Sequence, residues 1–128
     1  MNAETEILSA ACDIMQADRI GALEENDRTS IMIVDGKRLV RYRDGTEKLM
    51  MNVMLQGQDT DQKALMSDMW DMLHALRSSA RSIRSAEGST VTYNVQSVRP
   101  LTAPTPVGKS PLMWFYKANI EIIYIKKE

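Results

Sequence analysis

Cysteine and histidine each occur once, as Cys12 and His74, and phenylalanine once, as Phe115. A single cysteine excludes an intramolecular disulfide. One thiol and one imidazole fall short of a structural zinc ligand set, so this chain alone does not build such a site. An excess of one charge is missing too: 16 Lys and Arg stand against 17 Asp and Glu, a net charge of -1. That balance argues against a dedicated nucleic-acid binder of the strongly basic kind. No window approaches the ~20 apolar residues of a membrane span. The opening MNAETEILSA is acidic and lacks the apolar run of a secretory leader. The expectation is a chain made and kept in a reducing cytoplasm, with no membrane partner. Proline is confined to one segment, 99–111, as Pro100, Pro104, Pro106 and Pro111.

Catalytic signatures are missing as well. The chain contains no G-x-S-x-G, no phosphate-binding G-x-x-x-x-G-K-[ST], no G-x-G-x-x-G and no C-x-x-C. His74 has no obvious carboxylate to orient it as a base, and reads as a packed or surface histidine. Asp61, Asp68 and Asp71 share a helix face; a cation cluster there is conceivable, but a solvated face is the simpler reading. The expectation is a protein without catalytic residues, metal or cofactor.

What remains is ample apolar material in clear patterns. The 128 residues, 44% of them hydrophobic, fit one domain, 1–128, with its own core. Residues 4–17 predict a helix with Ile7, Leu8, Ala11, Ile14 and Met15 as its stripe and Cys12 beside it. Residues 18–28 read as a connection. Ile31–Val34, Leu39–Tyr42 and Glu47–Gln56 predict three strands. Between them lie Asp35-Gly36 and Asp44-Gly45, the pairs that tight type I′ hairpins favour, which predicts a three-stranded antiparallel meander. Gly57 then breaks the third strand. Asp59 or Thr60 caps a long helix reaching about Arg84, with Leu65, Met69, Met72, Leu73 and Leu76 inward. A fourth strand is expected over Thr90–Val98. The proline segment is expected to be an extended, structureless loop, usually functional or mobile at that length.

The last strand, Pro111–Lys126, organises the rest. One parity holds Leu112, Trp114, Tyr116, Ala118, Ile120, Ile122 and Tyr124, all apolar or aromatic; the other is mixed. At ~3.3 Å per residue it would run roughly 45 Å, longer than a small domain needs, so pairing with a partner is expected. The predicted fold is α+β: an antiparallel or mixed sheet of about five strands, with an N-terminal helix and one long helix packed on it.

Two stretches, VRYRDGTEKLMMNVMLQGQDTDQKALMSDMWDMLHAL (Val40–Leu76) and VGKSPLMWFYKANIEIIY (Val107–Tyr124), together with the element order, resemble the small tail-terminator and minor capsid (head–tail joining) proteins of long-tailed bacteriophages. That resemblance implies a virion protein, assembled in the host cytoplasm, without catalytic residues. It implies a self-associated ring, usually a hexamer, at the head-proximal end of the tail. Such a ring stops tube polymerisation, meets the tail tube protein and the head connector, and lets DNA pass its channel. Another neck component, a head-completion or connector protein, is the alternative; a small cytoplasmic enzyme or regulator is a more distant one. Candidate subunit contacts, by strand addition or sheet packing, are the edge of the meander and the last strand, with Trp114, Phe115, Tyr116, Ile123, Ile125, Met50 and Met54. The candidate partner-binding loop contains Pro100, Pro104, Pro106 and Lys109. Arg38, Arg41 and Arg43 on the second strand, and Arg77, Arg81 and Arg84 at the end of the long helix, are candidates for DNA or an acidic partner.

Overall fold

The computed structural model describes residues 2–127. It has two α-helices, α1 (Ala3–Met15) and α2 (Gln62–Ser78), and six strands: β1 (Arg19–Ile20), β2 (Thr29–Arg41), β3 (Glu47–Asp59), β4 (Thr92–Pro100), β5 (Thr105–Lys109) and β6 (Trp114–Lys127). The strands form one mixed sheet in the order β1-β2-β3-β6-β4, with β5 also on β6. The α+β expectation holds.

The length of β6 is used entirely inside the chain. It pairs antiparallel with β3 from Asp59↔Trp114 to Glu47↔Lys126. Its other side is shared: β4 takes Ile120 to Lys127, and β5 takes Trp114 to Lys117. The gap between them is closed by the proline segment itself. The N–H groups of Leu101 and Thr102 both donate to the Asn119 carbonyl, at 2.8 and 3.3 Å. The Asn119 N–H donates to Thr102 Oγ1 at 2.9 Å. Strand addition needs free backbone groups, so the expectation that β6 pairs with a partner is overturned. The segment 99–111 is likewise no structureless loop, because residues 105–109 form β5.

Parity decides which face is covered. Tyr116, Ala118, Ile120, Ile122 and Tyr124 are buried, as are Met51, Val53 and Leu55 on β3 and Tyr93, Val95 and Val98 on β4. Both helices lie on this face. α1 contributes Ile7, Leu8, Ala11 and Met15, and α2 contributes Leu65, Met69, Met72, Leu73 and Leu76. Leu112, expected on the inward parity, precedes the strand and is 78% exposed. Asn2 caps α1 by accepting from the Thr5 N–H at 2.8 Å. α2 is capped by Asp61, which accepts from the Ala64 N–H at 3.1 Å, in place of the expected Asp59 or Thr60. α2 ends at Ser78, short of the expected Arg84; a 3-10 turn over Ala80–Ser82 follows.

The meander has two strands, not three. Asp35-Gly36 makes no turn; it lies inside β2, beside a bulge between Ile33 and Asp35. Gly36 is small for another reason: a Cβ there would stand 2.9 Å from the Met50 carbonyl oxygen. Asp44-Gly45 does make the hairpin turn, with Gly45 at φ +89 and the Tyr42 N–H donating to the Thr46 carbonyl at 2.8 Å. Gly57 does not break β3, which continues to Asp59. It is the point where α2 touches the sheet, since a Cβ would come within 2.8 Å of Leu65 Cδ1 and 2.9 Å of Met69 Sδ.

Gly57→Ala should therefore push Leu65 and Met69 off the sheet and cost about 1–3 kcal/mol, the usual range for overpacking a filled core. Chemical denaturation checks this. Gly45→Ala meets no atom within 4 Å, so its loss should come from backbone strain alone and leave the packing of α2 unchanged in near-UV circular dichroism.

Candidate functional site

The expected contact residues separate into three environments. Tyr116 is 3% exposed, and its hydroxyl accepts a hydrogen bond from Gln62 on α2. It belongs to the core and is withdrawn as a subunit contact. Trp114 is half-buried, with the Lys109 Nζ 4.8 Å above its ring. Phe115 lines a surface hollow with Leu23, Val107 and Gly108. Met50, Met54, Ile123 and Ile125 are half-buried on the face of the sheet opposite the helices, where Met50 is paired with Ile123.

The candidate partner loop is also divided. Pro104 is buried, so it is withdrawn as a partner contact; Pro100 ends β4, and Pro106 and Lys109 are exposed on β5.

The arginines are not brought together. Arg38 and Arg41 are on β2 and Arg43 just beyond it; Arg77 is in the last turn of α2, Arg81 in the 3-10 turn, and Arg84 forms an isolated bridge with Asn94. β2 and β4 are separated by β3 and β6. Three strand spacings put about 14 Å between β2 and β4. They are two patches.

The other polar residues singled out in the sequence have these surroundings. His74 is exposed and stacked on Trp70, with ring centroids 5.9 Å apart. Among the described residues, no group of three or more His, Cys, Asp or Glu could hold a metal ion. Asp61 caps α2, and Asp68 pairs with Arg28 at 2.6 Å. The Cys12 thiol donates to the Ala17 carbonyl at 3.4 Å. Burial, with Asp13 and Asp18 nearby, pushes its pKa up, which disfavours a reactive thiolate.

The expected meander edge is the outer edge of β2, one strand of 13 residues. β1 covers only Ser30 and Ile31, and the Gly21 N–H donates to the Ile31 carbonyl at 2.8 Å. Among the described residues nothing pairs with that edge from Met32 to Arg41, roughly 30 Å of strand. All nine residues from 33 to 41 are exposed. Ile33, Val34, Leu39 and Val40 are among them, Val34 at 55%. Edge strands are commonly blunted by charge and bulges, and this one has both: Lys37, Arg38 and Arg41, with irregularities at Ile33/Asp35 and Arg38/Val40. With Asp35-Gly36 inside the strand, this edge is longer than the expected meander offered.

At the other end of β2, α1 and α2 border a hollow of about 460 Å³ lined by Ile14, Met15, Asp18, Arg28, Asp68, Asp71, Met72 and Ala75. Arg28 bridges it, with Nε 2.7 Å from Asp59 and a second nitrogen 2.6 Å from Asp68. Asp18 accepts from the Arg28 and Thr29 N–H groups. Gln58 secures the 18–28 connection by donating to the Glu24 and Asp27 carbonyls at 2.7 and 2.5 Å. No family model matches the chain, and no curated protein matches it in sequence.

The Asp61 N–H and then the Arg28 guanidinium hold the Asp59 carboxyl below its usual pKa. A carboxylate favoured in the folded state stabilises the protein above its ordinary pKa of about 3.9, and that stability is lost as pH falls through the lower folded value. Asp59→Asn should accordingly be less stable at neutral pH and lose less on acidification from about pH 4 to pH 2. Thermal melts across that window test it; parallel pH curves for the two proteins would exclude the Asp59 carboxylate as a source of the acid sensitivity.

Proposed function

We propose that this chain is a structural subunit of a bacteriophage neck, a tail-terminator protein that assembles as a ring on the head-proximal end of the tail tube, ends tube growth and meets the head connector. The observation that carries the reading is the outer edge of β2 from Met32 to Arg41: a long edge with apolar side chains that, among the described residues, no strand covers. Exposed main-chain donors and acceptors are a template for another chain, and alternate side chains set which chain fits. The resemblance of Val40–Leu76 and Val107–Tyr124 to tail terminators supplies the kind of assembly. Among the described residues no helix is long and apolar enough to cross a membrane, which agrees with assembly away from a bilayer. A ring contact is heterologous, so the edge meets a different surface of the neighbour.

Deleting the gene from its phage and imaging the induced lysate by negative-stain electron microscopy tests the role. Overlong tubes beside unjoined heads are expected. Normal-length free tails beside emptied heads would assign head completion instead, and intact infectious particles would sink the structural reading. A finer test uses Val34→Lys with Leu39→Lys. Both positions are exposed, so stability should stay within about 0.5 kcal/mol for each change. The folded variant should nevertheless fail to complement the deletion; full complementation would remove the β2 edge from the assembly.

A further inference from the structure

The two ends of β2 differ in charge. Around its hairpin end, Lys37, Arg38, Arg41, Arg43 and Lys48 outnumber Asp44 and Glu47. At its Thr29 end lies the hollow between α1 and α2, whose carboxylates are Asp18, Asp68 and Asp71. Arg28 is engaged by Asp59 and Asp68. Asp71 is exposed and has no partner among the described residues. Each copy thus presents a basic projection and an acidic recess at opposite ends of one strand, although its net charge is only -1.

We propose that the occupant of the hairpin edge is the acidic hollow of a second copy. Arg41 and Arg43 face Asp18 and Asp71, and Tyr42, 45% exposed in the free chain, covers the apolar floor of Ile14 and Met72. Two identical edges do not satisfy the observations, because side-by-side pairing of β2 with itself concentrates its cations. A polyanion such as DNA satisfies the cations alone. It gives no account of Leu39, Val40 and Tyr42, which are apolar and exposed on the same hairpin. The recess offers both carboxylates and apolar floor. Because the projection and the recess are different surfaces, the contact repeats from copy to copy and closes only if its rotation does. The inference deepens the reading of the chain as a ring subunit, and rests on it for that closure.

Sedimentation velocity tests it. Wild-type protein should associate at low salt and lose at least tenfold in affinity at roughly 1 M salt, where the screening length falls to about 3 Å. The tip-reversed variant Arg41→Glu/Arg43→Glu and the recess-reversed variant Asp71→Lys should each stay monomeric with unchanged circular dichroism. An equimolar mixture of the two should associate, because each then offers the charge the other lacks. Carbodiimide coupling of wild-type protein at low salt should join Lys37 or Lys48 of one copy to Asp18 or Asp71 of another, read by mass spectrometry of the peptides. Salt-insensitive association, a mixture that stays apart, or a tip-reversed variant that loses DNA binding while self-association persists would each overturn the inference. So would a wild-type monomer at every concentration tested. That last result together with overlong tubes in the deletion strain leaves the ring reading standing; salt-dependent association together with infectious deletion particles removes the ring reading alone.

Discussion

The structure depends on the pairing of β6 with β3. It is the longest unbroken register in the sheet, from Asp59↔Trp114 to Glu47↔Lys126, and it joins the two halves of the chain, since α2 and β4 lie between the paired strands in sequence. Contacts that distant cost loop-closure entropy before they return anything. The return here is burial: Val53, Leu55, Ala118, Ile120 and Ile122 are all fully enclosed under the helices. At about 25 cal/mol per Å² of apolar surface, burying a side chain such as Ile120 contributes roughly 1.5–3 kcal/mol. α1 and α2 are held by that same face, so helix packing and strand pairing stand or fall together.

Where the local pattern had a single explanation, the sequence was legible. The alternation of Tyr116, Ala118, Ile120, Ile122 and Tyr124 can only be a half-covered strand. The 3.6-residue stripe from Leu65 to Leu76 can only be a helix with one buried face. Asp44-Gly45 closed the expected hairpin, but not as a type I′ pair: of the two only Gly45 takes a left-handed φ, and its N–H donates back to the Tyr42 carbonyl. Asp35-Gly36 has the same letters and a different cause. Gly36 is required by the nearness of the Met50 carbonyl, a contact with a residue fourteen positions away, so no local rule could distinguish the two pairs. Gly57 follows the same logic, with α2 in place of a neighbouring strand. The proline segment misled for a related reason. Pro106 can sit in β5 because that strand borders the sheet, and an edge proline forfeits no ladder bond.

The candidate site was less legible than the fold because it is defined by what fails to pair. Apolar letters at Ile33, Val34, Leu39 and Val40 look like any other strand. Only the strand order shows that β1 is too short to cover them. The aromatic cluster near the C-terminus drew attention to Trp114, Phe115 and Tyr116, yet large side chains mark burial as often as contact. Tyr116 was spent on the core, with its hydroxyl satisfied by Gln62.

One constraint links fold and assembly. The helix-covered core ends, along β2, near Ile31; beyond it both faces and one edge of the strand are exposed, while β3 continues to bond it from within. A segment in that position adds little apolar burial to the stability of a free monomer. Charged and polar side chains would serve the monomer equally well there, and would lower its tendency to aggregate. Four aliphatic residues stand there instead, interleaved with cations that repel a second identical edge. The combination disfavours indiscriminate pairing of one such edge with another. Because β6 is paired on both sides and buried on one face, changes to the outer half of β2 can be tolerated by the core. Under the proposed assembly, folding and subunit contact would rest on different strands of one sheet.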